Sequence, residues 1–125
     1  MENGRLIKTI LVVEDETELL AVIAQTLRRA GYEVLEACGV AEAVLKCEQP
    51  QIDLILSDFN LPGANGITLA RKMESLRPNL PIIFMTGNQE ACDELTAHGF
   101  LCLSKPFSFA DMESVIRETL VLSEL

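Results

Sequence analysis

Five polar residues carry the chemical interest of this chain: the adjacent acids Glu14 and Asp15, Asp58 at the end of an apolar run, Thr86, and Lys105. Each alone has an ordinary explanation as a helix cap, a turn residue or a surface charge. Together they share one chemistry. Three carboxylates gathered in a partly buried place repel, at a cost on the order of several kcal/mol, unless protons or a cation neutralise them. A divalent ion answers this most simply. Mg²⁺ (or Mn²⁺) suits hard oxygen ligands, takes only one or two carboxylates, and leaves room for a phosphoryl oxygen. A carboxylate oxygen of Asp58 could then attack phosphorus in line and become an aspartyl-phosphate. The Thr86 hydroxyl would donate to one phosphoryl oxygen, and the Lys105 ammonium would neutralise another.

Residues so far apart in sequence meet only if the fold collects them, and the hydrophobic pattern supplies such a fold. Ile7 to Val13 reads as a β-branched strand that runs into Glu14-Asp15. From Leu19, the residues Leu19, Leu20, Val22, Ile23 and Leu27 lie in one stripe at helical spacing, and Gly31 stops that helix. Residues 33–37 form a short strand and residues 39–48 a helix, broken at Gln49-Pro50. Residues 53–58 form the third strand, apolar as a sheet buried on both faces requires. A helix over 66–76 with Ile67, Leu69, Ala70 and Met73 inward, a strand over 81–86, a short weak helix over 89–98, a strand over 100–103 and a last helix over 108–122 complete the chain. The weak helix has only Ala91, Leu95, Ala97 and Cys92 to bury; the last presents Phe109, Met112, Val115, Ile116 and Leu120.

Strand and helix alternate five times. Such alternation requires parallel strands joined by right-handed crossovers, hence a three-layer doubly wound (βα)5 α/β sandwich of the flavodoxin-like kind. With the five-stranded parallel sheet in the order 2-1-3-4-5, strands one and three are neighbours and the order reverses between them. Asp15 and Asp58 would then face each other across the crevice at the carboxyl edge, where ligands of such sheets bind.

At 125 residues the chain is expected to be one domain over 1–125, too short for a catalytic domain plus an output domain. A net charge of −9 with scattered basic residues argues against direct nucleic-acid binding. No apolar run reaches membrane-span length, and residues 1–10 lack a signal-peptide pattern, so a cytoplasmic protein without membrane contact is expected. Cysteines 38, 47, 92 and 102 show no C-x-x-C pair and are expected as free thiols. His98 before Gly99 suits a helix end better than catalysis.

The motif set Glu14-Asp15, Asp58 followed by Leu61-Pro62-Gly63 and Asn65-Gly66, Thr86-Gly87, and Lys105-Pro106-Phe107 resembles the response-regulator receiver domain of bacterial two-component signalling over essentially the whole chain. The resemblance implies that Asp58 accepts phosphate from a sensor histidine kinase or a histidine phosphotransfer domain. It implies a metal site of Asp15, Asp58 and the Asn60 backbone carbonyl, with Glu14 assisting through water. It also implies a cis peptide between Lys105 and Pro106, where the cis form costs little, and a switch in which Thr86 moves inward as an aromatic residue of the fifth strand changes rotamer.

This chain departs from the family's pattern at that switch. Cys102 stands three residues before Lys105 where Tyr or Phe is usual, the nearest aromatic being Phe100, and the segment from Thr86 to Lys105 is about one helical turn shorter than the family's. A docking module without phosphoryl chemistry is one alternative, disfavoured by the intact acids. A phosphoaspartyl hydrolase is another, but Asn60 replaces the acid/base such an enzyme needs, and no extra segment could close over a substrate. As a bordering side chain, Asn60 could instead influence how fast water removes the phosphoryl group.

Overall fold

The computed structural model describes residues 7–63 and 66–124. Five strands and five helices alternate along them: β1 (Thr9–Val13), α1 (Thr17–Arg29), β2 (Glu33–Ala37), α2 (Val40–Cys47), β3 (Ile52–Asp58), α3 (Gly66–Leu76), β4 (Ile82–Thr86), α4 (Gln89–Ala97), β5 (Leu101–Ser104) and α5 (Phe109–Ser123). The strands form one parallel sheet in the order β2-β1-β3-β4-β5. The doubly wound architecture expected from the alternation is therefore present. Asn65 of the sequence motif lies outside the described residues.

Burial explains the layers. The three central strands expose almost nothing, and alternate residues along each point to opposite faces. Ile10, Val12, Leu54 and Leu56 meet Leu20, Ile23, Ala24 and Leu27 of α1 and Met112, Ile116 and Leu120 of α5 on one face. Leu11, Val13, Ile55 and Phe84 meet Ala43 and Cys47 of α2, Leu69, Ala70 and Met73 of α3, and Leu95 of α4 on the other. Each fully buried large aliphatic side chain contributes about 1.5–3 kcal/mol relative to exposure, so this sandwich is what fixes the strand ends.

Register explains where the sequence pattern overreached. Pairing begins at Thr9, which lies opposite Glu33 and Ile52, so Ile7 is left exposed before the strand. In α1 the buried set at i, i+3, i+4 and i+7 runs from Leu20, and Val22 falls outside it and is exposed. Phe109, the first residue of α5, is also exposed, lining a groove with Leu19, Lys105, Pro106 and Phe107. Ala97 is exposed at the end of α4.

Two local devices set the entry to the site. Gly63, in the turn after β3, has φ 73°, a left-handed conformation that costs an L side chain energy and glycine none. Asn88 caps α4, its side-chain oxygen accepting from the backbone amides of Glu90 (2.8 Å) and Ala91 (3.2 Å).

Candidate functional site

The carboxyl ends of β1, β3, β4 and β5 lie side by side, and each delivers one of the polar residues. Glu14 follows β1 directly and is locked there by its backbone amide, which donates to Ala37 O at 3.0 Å. Its side chain is fully buried. Oε2 accepts from the Glu16 amide at 3.1 Å, while Oε1 has no hydrogen-bond partner among the described residues. Lys105 Nζ stands 3.7 Å from Oε1, close enough for ion pairing but too far for a hydrogen bond. Burial pushes the Glu14 carboxyl up from its ordinary 4.5 to about 7, against the pull of the Glu16 amide; the Asp58 carboxylate adds to the rise and Lys105 opposes it.

Asp58 ends β3 and is buried. Its Oδ1 accepts from the Asn60 amide at 2.9 Å, and its Oδ2 lies 3.4 Å from Lys105 Nζ. One oxygen is thereby oriented by the turn and the other faced by a cation. Asp15 is exposed beside them, and Glu14, Asp15 and Asp58 each offer an oxygen within 4.8 Å of the others. A buried acceptor with no donor, in a triangle of carboxylate oxygens of that size, fits a hard divalent cation.

Thr86 ends β4 fully buried. Its Oγ1 accepts from the Asn88 amide at 3.1 Å and, at a long 3.4 Å, from Asn60 Nδ2. Both lone pairs are then engaged and the hydroxyl proton is left to donate. The β4 and β5 ends are tied together, since Lys105 N donates to Thr86 O at 2.8 Å. The Lys105–Pro106 peptide is cis.

Glu14, Asp15, Asp58 and Lys105 are thus brought together, with Thr86 joined to them through Asn60. Cys102 is not among them. It is bonded to Cys92 of α4, which corrects the expectation of four free thiols; Cys38 and Cys47 alone are free. The pair escaped sequence reasoning because ten residues separate its members and neither lies in a C-x-x-C motif. Its trace in the sequence was that Cys92 and Leu95 share the inward side of α4, while Cys102 alternates with Leu103 on the strand that follows. Asn88 was also missed as a site residue, although Asn directly before a helix is a capping signal.

Comparison with known proteins agrees with this geometry. The sequence profile described as "Response regulator receiver domain" matches residues 10–117. The phosphate regulon transcriptional regulatory protein PhoB of Pseudomonas aeruginosa is 38% identical over an alignment of 123 positions that covers 90% of this chain and 53% of PhoB. This chain therefore spans about half the length of that regulator. The crystal structure of a CheY-like response regulator receiver domain protein from Methanospirillum hungatei superposes with a TM-score of 0.86 at 33% identity, covering 94% of this chain and 97% of the other. The receiver domain of the sensor histidine kinase PA1611 from Pseudomonas aeruginosa, solved with magnesium coordinated in its active-site cleft, superposes with a TM-score of 0.81 at 28% identity over 91% and 98% of the two chains.

Proposed function

Because the chain belongs to the family of response regulator receiver domains, signalling modules that accept phosphate from histidine kinases and bind Mg²⁺ at an acidic site, we propose that Asp58 is its phosphoacceptor. The observation that carries this is the buried Glu14 Oε1, which has no hydrogen-bond partner among the described residues and sits beside the Asp15 and Asp58 carboxylates. Glu14, Asp15 and Asp58, with the Asn60 backbone carbonyl, would hold Mg²⁺ (or Mn²⁺). When bound, the ion would neutralise these acids and the phosphoryl oxygens.

The chain's own residues divide the remaining work. The Asn60 amide on Oδ1 orients the Asp58 carboxylate for in-line attack on a phosphohistidine of a sensor histidine kinase or a histidine phosphotransfer domain. The new O–P bond forms as the P–N bond breaks and the imidazole leaves. Lys105, already 3.4 Å from Asp58 Oδ2, takes up charge on the phosphoryl group. The Thr86 hydroxyl, with its lone pairs occupied and its proton available, donates to a second phosphoryl oxygen when it moves inward. That movement passes the signal to a partner or an attached output domain.

In this proposal residues 1–125 are a single receiver domain acting in the cytoplasm, without direct contact with nucleic acid or membrane. Among the described residues no helix is long and apolar enough to cross a membrane. A phosphoaspartyl hydrolase is disfavoured, since the Asn60 amide cannot transfer a proton. The test is incubation with Mg²⁺ and acetyl phosphate or beryllofluoride, with Asp58→Ala in parallel. An adduct by mass, or nuclear magnetic resonance shifts, that requires Asp58 is expected. No Asp58-dependent change would defeat the proposal.

A further inference from the structure

The Cys92–Cys102 bond lies apart from the acid cluster and takes no part in its chemistry. Its place in the fold gives it a different meaning. Cys92 is in the first turn of α4, and Cys102 is the second residue of β5, the edge strand, opposite Phe84 of β4. Their Cα atoms are 5.6 Å apart, within the separation usual for cystine, so strand and helix need not shift to bring the two together.

What α4 has besides this bond is little. Its buried side chains are Cys92 and Leu95, whereas α1 buries four and α5 three. Without the bond, one large buried side chain, Leu95, the Asn88 cap and a long 3.5 Å hydrogen bond from Ser104 Oγ to Gln89 Oε1 hold a nine-residue helix. The edge strand that carries Cys102 also carries Ser104, whose Oγ lies 3.9 Å from Cys92 Sγ, and it leads directly to Lys105. Where a glutathione-type pool keeps thiols reduced, protein disulfides are mostly transient and regulatory rather than permanent.

We propose that Cys92 and Cys102 are a reversible thiol–disulfide site for low-molecular-weight disulfides of the glutathione type, and that oxidation clamps α4 to β5 while reduction releases it. The consequence for signalling rests on the receiver function proposed above, because α4 and β5 flank Thr86 and Lys105. Cys102 is partly exposed and Cys92 8% exposed, so Cys102 reacts first. Its thiolate attacks the small disulfide R–S–S–R, forming a mixed disulfide and releasing RS⁻. The Cys92 thiolate then attacks the Cys102 sulfur and releases the second RS⁻. Two protons pass from the cysteines through solvent to the released thiolates, giving one protein disulfide and two RSH. Cys38 and Cys47 stay out of this exchange. A hydrogen bond to Glu42 raises the Cys38 thiol and burial raises Cys47, which leaves little thiolate on either.

The test equilibrates the whole chain with reduced and with oxidised glutathione, then combines peptide mapping with amide hydrogen exchange. Expected are a linked Cys92–Cys102 peptide only after oxidation, two alkylatable thiols against four after unfolding, and exchange over residues 89–97 about tenfold faster in the reduced protein. Cys92→Ser should exchange like the reduced protein whatever the glutathione state. The absence of a linked peptide, or equal α4 exchange in the two states, would overturn the proposal. Beryllofluoride binding at Asp58 is measured on the same samples. Its loss in both redox states would count against the phosphoacceptor and leave the thiol result standing.

Discussion

Asn60 Nδ2 reaches Thr86 Oγ1 across 3.4 Å, so the residue two beyond the candidate phosphoacceptor touches the hydroxyl expected to move when the acceptor is charged. The same residue donates its backbone amide to Asp58 Oδ1. Its main chain therefore orients the acceptor, while its side chain would border the path of a hydrolytic water in the proposed reaction. A side-chain amide there can hold that water, and one hydrogen bond of about 1 kcal/mol corresponds to a several-fold change in rate. Asn60→Ala, which keeps the backbone bond, is expected to slow dephosphorylation about three- to tenfold with little effect on adduct formation. An unchanged decay rate of the phosphorylated protein would remove this role.

The buried Glu14 makes metal-free stability depend on pH. Its carboxyl is raised in the folded state from about 4.5 to about 7, with burial the largest cause, so between those values the folded chain binds a proton that the unfolded chain has lost. Stability should accordingly fall as pH rises through that window and level off above it. The fall should be on the order of 1–3 kcal/mol, and Glu14→Gln should abolish most of it in denaturant titrations made with chelator. A flat profile in the unmodified protein would contradict the assignment. Mg²⁺ must displace the same proton, so its affinity should weaken up to about tenfold per unit below pH 7, and calorimetry in buffers of different ionisation enthalpy should register the release.

Asn88 links the site to the helix behind it. It caps α4 through Oδ1 and donates its own amide to Thr86 Oγ1. Asn88→Ala keeps the second contact and loses the first. A cost of about 1 kcal/mol is expected, with faster amide exchange over residues 89–97 and the Asp58 adduct retained. Loss of the adduct would mean that the cap also positions Thr86.

The sheet order and the gathering of Glu14, Asp15, Asp58 and Lys105 were legible in the sequence because they follow from patterns repeated many times. Alternating apolar runs and helical stripes leave one topology, and that topology places every strand end at one edge. Single contacts carried no such redundancy. Whether Asn60 turns its amide toward Thr86 depends on the turn through Pro62 and Gly63, and whether Cys92 meets Cys102 depends on how α4 sits against β5. Val22 and Phe109 were misjudged for a related reason. Hydrophobic type marks a candidate for burial, but the sheet edge and the helix phase decide whether there is anything to bury it against.

Tyrosine at position 102 would restore the residue type usual in the family and cut the bond to α4 in the same step. The reacting groups do not depend on that side chain. Lys105 is set by its backbone bond to Thr86 O, and Asp58 by the Asn60 amide and the end of β3. The Phe84 ring, opposite Cys102 on β4, is already packed edge-on against Phe59 and Phe100. Cys102→Tyr should therefore take up beryllofluoride at Asp58 within about twofold of the parent affinity, a change below about 0.5 kcal/mol. It should also raise amide exchange in α4 and alter partner binding. If adduct formation is lost while the variant remains folded by circular dichroism, strand five takes part in the chemistry itself and not only in its readout.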